Sequence, residues 1–295
     1  MQDINNGIIK VVRSLAVKKY RDDERLFVAE GTKCVRDTWD YFNCKWLICT
    51  RAWHDRLANA TMHDKIVLAN NQQMAKMSQF SNPSDVIAVY EMPEKEIDEK
   101  EVRDGLNIVL DNVQDPGNLG TIIRLADWYG IKNIFASIGT VDVYNHKVVQ
   151  ATMGAISRVK VHYCDVPNLL EEYNDLPVWG TFLDGDNIYQ SELDNKGFVV
   201  FGNEGQGIGQ KVSKLVNKRL LIPSWNSGET SESLNVGVAT AVVISEFRRS
   251  VLKNKYLWLN RLNRHSFAKI VVQSHRNGWV NAPPAVNGTP MLKKS

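Results

Sequence analysis

Between residues 105 and 250, short apolar runs alternate with helix-length amphipathic stretches, and no other feature of the sequence restricts the fold as much. The spacing predicts strands at 106–110, 133–137, 159–163, 178–183, 198–202 and 220–222. It predicts helices between most of them, including 119–129 and a long final one over 231–247. Strands that alternate with helices require crossover connections, and so a mostly parallel sheet covered on both faces. In such sheets ligands bind at the carboxyl ends of the strands, so the chemistry is expected in the loops that follow them.

The rest of the chain divides around this unit. Residues 1–92 read as a smaller α/β domain. Ile8, Val11, Val12 and Leu15 recur at helical spacing, strand-like runs lie at 26–29, 45–49 and 85–90, and a helical stretch covers 33–41. Residues 93–104 are nearly all charged and read as a linker. Residues 251–295 carry eight Lys and Arg and no acid, a basic tail that reads either as a nucleic-acid-binding extension or as loop. A 295-residue chain with 43% hydrophobic and 23% charged residues has ample material for folded cores. No uncharged apolar run reaches membrane-spanning length, so no membrane association is expected. The four cysteines form no C-x-x-C pair and no metal site is expected. The first residues show no secretory leader, which makes a cytoplasmic chain with reduced thiols the expectation.

Three loops carry chemical signal. Asp111 to Arg124 follows the first strand of the parallel unit. Asp115-Pro116-Gly117 is turn chemistry, Asn118 is placed to cap the next helix, and Arg124 lies off its buried stripe. The second loop, Gly202-Asn203-Glu204-Gly205-Gln206-Gly207-Ile208-Gly209, leaves a strand with four glycines, which permit close approach of a ligand to the backbone. It is not a dinucleotide fingerprint, because the third required glycine position is Gln210, and no phosphate-loop lysine motif occurs. Glu204 there is either a turn stabiliser or an acid aimed into a cleft. The third loop runs from Ile222-Pro223 through a polar stretch to Ser233-Leu234-Asn235, with Ser233 and Asn235 expected in the first turn of the final helix.

Taken in this order, these motifs resemble the SpoU/TrmH family of RNA ribose 2′-O-methyltransferases, of the SPOUT superfamily. Ala151-Thr152-Met153-Gly154-Ala155-Ile156 is similar to a fourth family patch, and Arg21 with Phe27-Val28-Ala29-Glu30-Gly31 resembles the family's substrate-binding domain. The resemblance covers residues 8–250. It implies a trefoil-knotted catalytic domain, S-adenosylmethionine as cofactor, and a homodimer in which Arg124 of one subunit faces the cofactor of the other. It implies cofactor contacts from Gly202, Asn203, Gly205, Gly207, Ile222, Pro223 and Leu234. Arg124 would be the central catalytic group, with Asn118 and Glu204 orienting it or the ribose, and Ser233 and Asn235 holding it or a phosphate. Arg13, Lys18, Lys19 and Arg21 are the candidates for RNA contact, against the reading of a merely solvated surface. The expected reaction is methyl transfer to a ribose 2′-hydroxyl of structured RNA, ribosomal RNA first. The alternatives are transfer RNA as substrate, or a non-catalytic RNA-binding or assembly factor. The loop between Pro223 and Ser233 is longer than in many relatives, and Gly237 replaces a small polar residue.

Overall fold

A computed structural model describes residues 2–56, 65–94, 96–226, 228 and 233–250. The basic tail, and Ser231 as a helix start, lie outside the described residues.

The N-terminal part runs β1 (Gln2–Asp3), α1 (Asn6–Ser14), α2 (Lys18–Glu24), β2 (Leu26–Glu30), α3 (Thr32–Thr38), β3 (Cys44–Cys49), α4 (Arg51–His54), β4 (Ile66–Leu68), α5 (Asn71–Met77) and β5 (Val86–Glu91). Its sheet has the order β1-β4-β3-β5-β2, with β5 antiparallel to both β3 and β2. β2 and β5 are buried along almost their whole length, so this sheet is covered on both faces. One face packs under α1 and α5 through Ile8, Val12, Met74 and Met77. The other carries Phe27, Ala88 and Tyr90 into a core continuous with the second sheet.

The second part runs α6 (Glu99–Asp104), β6 (Leu106–Leu110), α7 (Pro116–Trp128), β7 (Asn133–Ser137), α8 (His146–Ala151), β8 (Lys160–Cys164), α9 (Val166–Glu172), β9 (Val178–Asn187), β10 (Gly197–Phe201), α10 (Gln210–Ser213), β11 (Lys218–Leu221) and a final helix α11 over 236–250. Its six strands lie in the order β11-β9-β10-β6-β7-β8, and every pairing is parallel. β6 and β10 are fully buried, as expected of central parallel strands. The buried Asn107 in β6 is tolerated because its amide donates to the carbonyls of Val102, Gly105 and Gly197. The chain winds outward from β6 through β7 to β8 and then crosses to β9 and β10. Strand order therefore reverses between β6 and β10, and the loops leaving these two strands part at that point.

Three local expectations are corrected. The charged stretch 93–104 is not all linker: Asp98 accepts from Glu101 N, and Glu99–Asp104 is helical with Val102 buried against the parallel sheet. Asn118 does not cap α7; Asp115 does, accepting from Asn118 N at 2.8 Å, with Pro116 opening the helix. The final helix starts at 236, so Ser233 and Asn235 precede it.

Arg21 is also not a surface residue. It is 3% exposed, and its guanidinium donates to Asp142 Oδ2 from Nε at 3.0 Å and Nη2 at 2.5 Å, and to the carbonyls of Leu15 and Ala16. It ties the N-terminal part to the loop after β7. Beside it, Phe27 packs on Tyr144 with ring centroids 4.6 Å apart.

Candidate active site

The three motif loops meet at the carboxyl edge of the parallel sheet, and a chain of amides joins them. Asn235 is the N-cap of α11: its Oδ1 accepts from Gly237 N at 3.0 Å and from Val238 N at 3.3 Å. Its Nδ2 donates to Asn118 Oδ1 at 2.9 Å, and Asn118 Nδ2 donates to Glu204 Oε1 at 2.8 Å. Since Asp115 performs the capping of α7, the Asn118 side chain is free to make this bridge. The dipoles run in one direction, from the α11 amides to the carboxylate, so each bond polarises the next. The second oxygen of Glu204 is left for another donor.

The glycine loop is held by its own backbone. Asn203 N and O exchange hydrogen bonds with Gly207, and Asn203 Oδ1 accepts from Gly205 N and Gln206 N. Asn203 Nδ2 donates to Asn112 O at 2.9 Å, and Asp111 Oδ2 accepts from Gly209 N at 2.7 Å. The Asn203 side chain thus builds the loop. Gly202 must be glycine, because a Cβ there would overlap the Gly207 carbonyl and Ile208 N. Gly207 has φ +70 and faces open space, and Gly205 is exposed. Ile222 and Pro223 are half-buried, with Ile222 packed on the main core, while Leu234 is 48% exposed despite being apolar. Exposed backbone edges beside partly exposed aliphatic side chains suit a nucleoside, which has polar edges and apolar faces. These residues therefore fit S-adenosylmethionine.

Arg124 and Ser233 are not drawn into the amide chain. Both are exposed, and neither makes a hydrogen bond or ion pair among the described residues. Arg124 lies about 9 Å along the α7 axis from Asn118, on the outward face with Trp128, which is 84% exposed. α11 runs beside α7. A Cβ on Gly237 would lie 3.3 Å from Thr121 Cγ2 and 3.6 Å from Asn118 Oδ1, and Arg248 Nε donates to Tyr129 O. The glycine at 237 lets the two helices approach. Gly120 does the same on the other flank of α7, where a Cβ would overlap Ala151.

Of the RNA-contact candidates, Arg13, Lys18 and Lys19 are exposed and Arg21 is buried; Lys18 is paired with Asp22 at 2.6 Å. Sequence reasoning missed Asp111 and Asn112, which hold the glycine loop. Asn112 has φ +60, and its side chain occupies the place a Cβ on Gly139 would take. An Asp-Asn pair directly after a buried strand is the only signal they leave.

Residues 105–245 match the SpoU rRNA Methylase family, and residues 6–88 match the MRM3-like substrate binding domain. The chain is 26% identical to the 23S rRNA (guanosine(2553)-2′-O)-methyltransferase of Bacillus subtilis, over 84% of this chain and 98% of that protein. Among solved structures it resembles a TrmH-family protein from Porphyromonas gingivalis, with 37% identity, TM-score 0.74, and coverage of 83% and 98% of the two chains. It also resembles the AdoMet-bound rRNA methyltransferase of Sinorhizobium meliloti, with 28% identity, TM-score 0.73, and coverage of 84% and 97%. The chain belongs to the SpoU/TrmH family of RNA 2′-O-methyltransferases.

Proposed function

We propose that this protein transfers a methyl group from S-adenosylmethionine to a ribose 2′-hydroxyl of ribosomal RNA, working in the cytoplasm as a homodimer. The observation that carries the reading is the amide chain Asn235–Asn118–Glu204, which joins three loops where strand order reverses. The ribosomal RNA relatives that match over 84% of this chain support the substrate class. A trefoil knot in this region goes with the family resemblance.

S-Adenosylmethionine, when bound, supplies an electrophilic methyl on a positively charged sulfur. The protein supplies alignment and electrostatics. The Gly202–Gly207 backbone, Ile222, Pro223 and Leu234 hold the nucleoside, so that the ribose oxygen approaches in line; alignment of this kind accounts for much of the rate in such transfers. Glu204, fixed at one oxygen by Asn118, orients the ribose or the arginine with the other. A guanidinium is a poor base in proteins. Arg124 therefore acts by stabilising the developing alkoxide and gripping the adjacent phosphate, with Ser233 as a second donor to phosphate.

Arg124 makes no contact with Glu204 inside one chain, and dimerisation supplies the missing geometry. Trp128 at 84% and Val238 at 52% exposure lie on the adjacent helices α7 and α11. An apolar face of this kind is covered by association. A second copy seated on it would bring its own Arg124 to these loops.

The test is incubation with labelled S-adenosylmethionine and unmodified 23S rRNA or transfer RNA transcripts, followed by nuclease digestion and mass spectrometry. The reading predicts a 2′-O-methylnucleoside from 23S rRNA. Label only in transfer RNA refutes the substrate class, a base-methylated product refutes the chemistry, and S-adenosylmethionine binding with no transfer to either RNA favours a non-catalytic factor.

A further inference from the structure

The two faces of the N-terminal sheet are not equivalent. Along β2, Phe27 and Ala29 enter the core shared with the parallel sheet, whereas Leu26 and Val28 enter the separate cluster under α1 and α5. β5 alternates the same way, with Ala88 and Tyr90 on one side and Ile87 and Val89 on the other. α1 and α5 therefore cover the face turned away from the catalytic domain. Between them runs a groove of about 720 Å³, lined by Asn6, Lys10, Arg13, Ser14 and Lys76 among others.

The charge in this groove is uncompensated. α1 reads Asn-Gly-Ile-Ile-Lys-Val-Val-Arg-Ser and α5 reads Asn-Gln-Gln-Met-Ala-Lys-Met, without one acid between them. Lys10, Arg13 and Lys76 are exposed, and none makes a hydrogen bond or ion pair among the described residues. Some cations elsewhere on the surface have partners, Lys18 with Asp22, Lys33 with Asp37, Arg56 with Asp85 and Arg158 with Asp127, and others, such as Lys19 and Arg124, have none among the described residues; the groove differs in gathering three unpaired cations in one concave site. Lys10 and Arg13, three apart on one helix, repel each other unless an anion sits between them. No aromatic side chain lines the groove, so it has no platform on which a base could stack. Cations with an amide and a hydroxyl, and no stacking surface, are the chemistry of phosphate contact.

We propose that the α1–α5 groove binds the phosphate backbone of the RNA substrate, at a point remote from the ribose that is methylated. This rests on the reading of the protein as an RNA methyltransferase. The bound RNA then has to reach past a sheet and a helix layer, each about 10 Å thick, to touch the groove and the active site together. Any RNA long enough to span roughly 20 Å around the domain meets that requirement. The groove selects substrates by their size, while the loops of the parallel sheet select the nucleotide.

The test compares the wild-type protein with the triple variant Lys10→Gln/Arg13→Gln/Lys76→Gln, using an unmodified 23S rRNA transcript at 50–200 mM salt. Neutralising three phosphate contacts should flatten the slope of log affinity against log salt by about 2–3, at roughly 0.7–0.9 per phosphate. Affinity should fall about tenfold or more, and KM for RNA should rise with kcat retained. The charge-preserving triple Lys10→Arg/Arg13→Lys/Lys76→Arg should keep the wild-type slope, which a merely structural role would not predict. An unchanged slope and KM in the glutamine variant, while the wild type methylates the transcript, overturns the groove. So does loss of binding to anionic vesicles alone, with RNA binding intact. A wild-type protein that neither binds nor methylates the transcript is a different failure, that of the function itself.

Discussion

Replacing Arg21 with alanine should destabilise the protein severely without touching its affinity for RNA directly. The side chain is 3% exposed, and its partner Asp142 is 11% exposed. Alanine removes two hydrogen bonds to Asp142 and one each to the carbonyls of Leu15 and Ala16. Breaking a buried ion pair from one side costs about 3–5 kcal/mol, because the remaining charge stays buried and unpaired. Asp142 keeps one donor, Tyr144 N at 3.1 Å, which places the expected loss at the lower end, about 3 kcal/mol. At roughly 2–4 °C per kcal/mol for a folded unit of this size, the melting temperature should drop by about 6–12 °C. Asp142→Ala should also destabilise, and the double variant should be more stable than additivity predicts by about 1 kcal/mol or more. Thermal melting of the four proteins of the cycle measures this. The salt slope of RNA binding, taken below the variants' melting range, should stay at the wild-type value. A melting temperature within about 2 °C of wild type, or a slope flattened by nearly one phosphate contact, would refute the clamp and restore Arg21 as an RNA ligand.

Asn118→Ala should cost only about 1–2 kcal/mol of stability, since it removes two partly exposed hydrogen bonds, but should lower kcat by about a hundredfold because Glu204 and the α11 start lose their link; an unchanged kcat contradicts the amide chain. His146, packed near Phe80, is held below the ordinary imidazole range by burial first and then by Lys147 and Arg21. The unfolded chain therefore takes up this proton more readily, so its contribution to stability is complete above about pH 6.5 and is lost as pH falls below that. His146→Gln should flatten that part of the stability–pH curve, and an unchanged curve rejects the assignment. Burial pushes the thiols of Cys34, Cys49 and Cys164 up to about 11 and that of Cys44 up to about 12. A thiol reagent at pH 7.5 should react slowly with the native protein and quickly after denaturation; rapid native labelling of several thiols contradicts the packing.

Much of the fold was legible because parallel strands must be apolar on both faces. β6, β7 and β10 are short continuous apolar runs, and each was expected within one residue of where it lies. β4 and β1 escaped notice because three and two residues carry too little pattern. The three motif loops were legible as residue types in order, Asn118, Glu204 and Asn235 among them. Their roles were not, because they depend on partners distant in sequence. Whether Asp115 or Asn118 caps α7 is settled by which side chain has a distant partner, here Glu204 across 86 residues. Arg21 misled for the same reason. In a basic stretch it reads as surface, and only the return of the chain at Asp142 buries it. Lys10, Arg13 and Lys76 were dispersed in sequence and converge only when α5 packs beside α1.

In the proposed homodimer, the loops of one subunit and Arg124 of the other form one methyltransferase site. Mixing two inactive variants tests it directly. Arg124→Ala lacks the arginine, and Leu234→Asp places a charge where the nucleoside packs. If the site is shared between subunits, each mixed dimer holds one intact site, and with random exchange the mixture should recover about a quarter of wild-type activity on 23S rRNA. If the mixture stays as inactive as its parents while native mass spectrometry shows that mixed dimers have formed, Arg124 acts within its own chain or not at all, and the shared site is wrong.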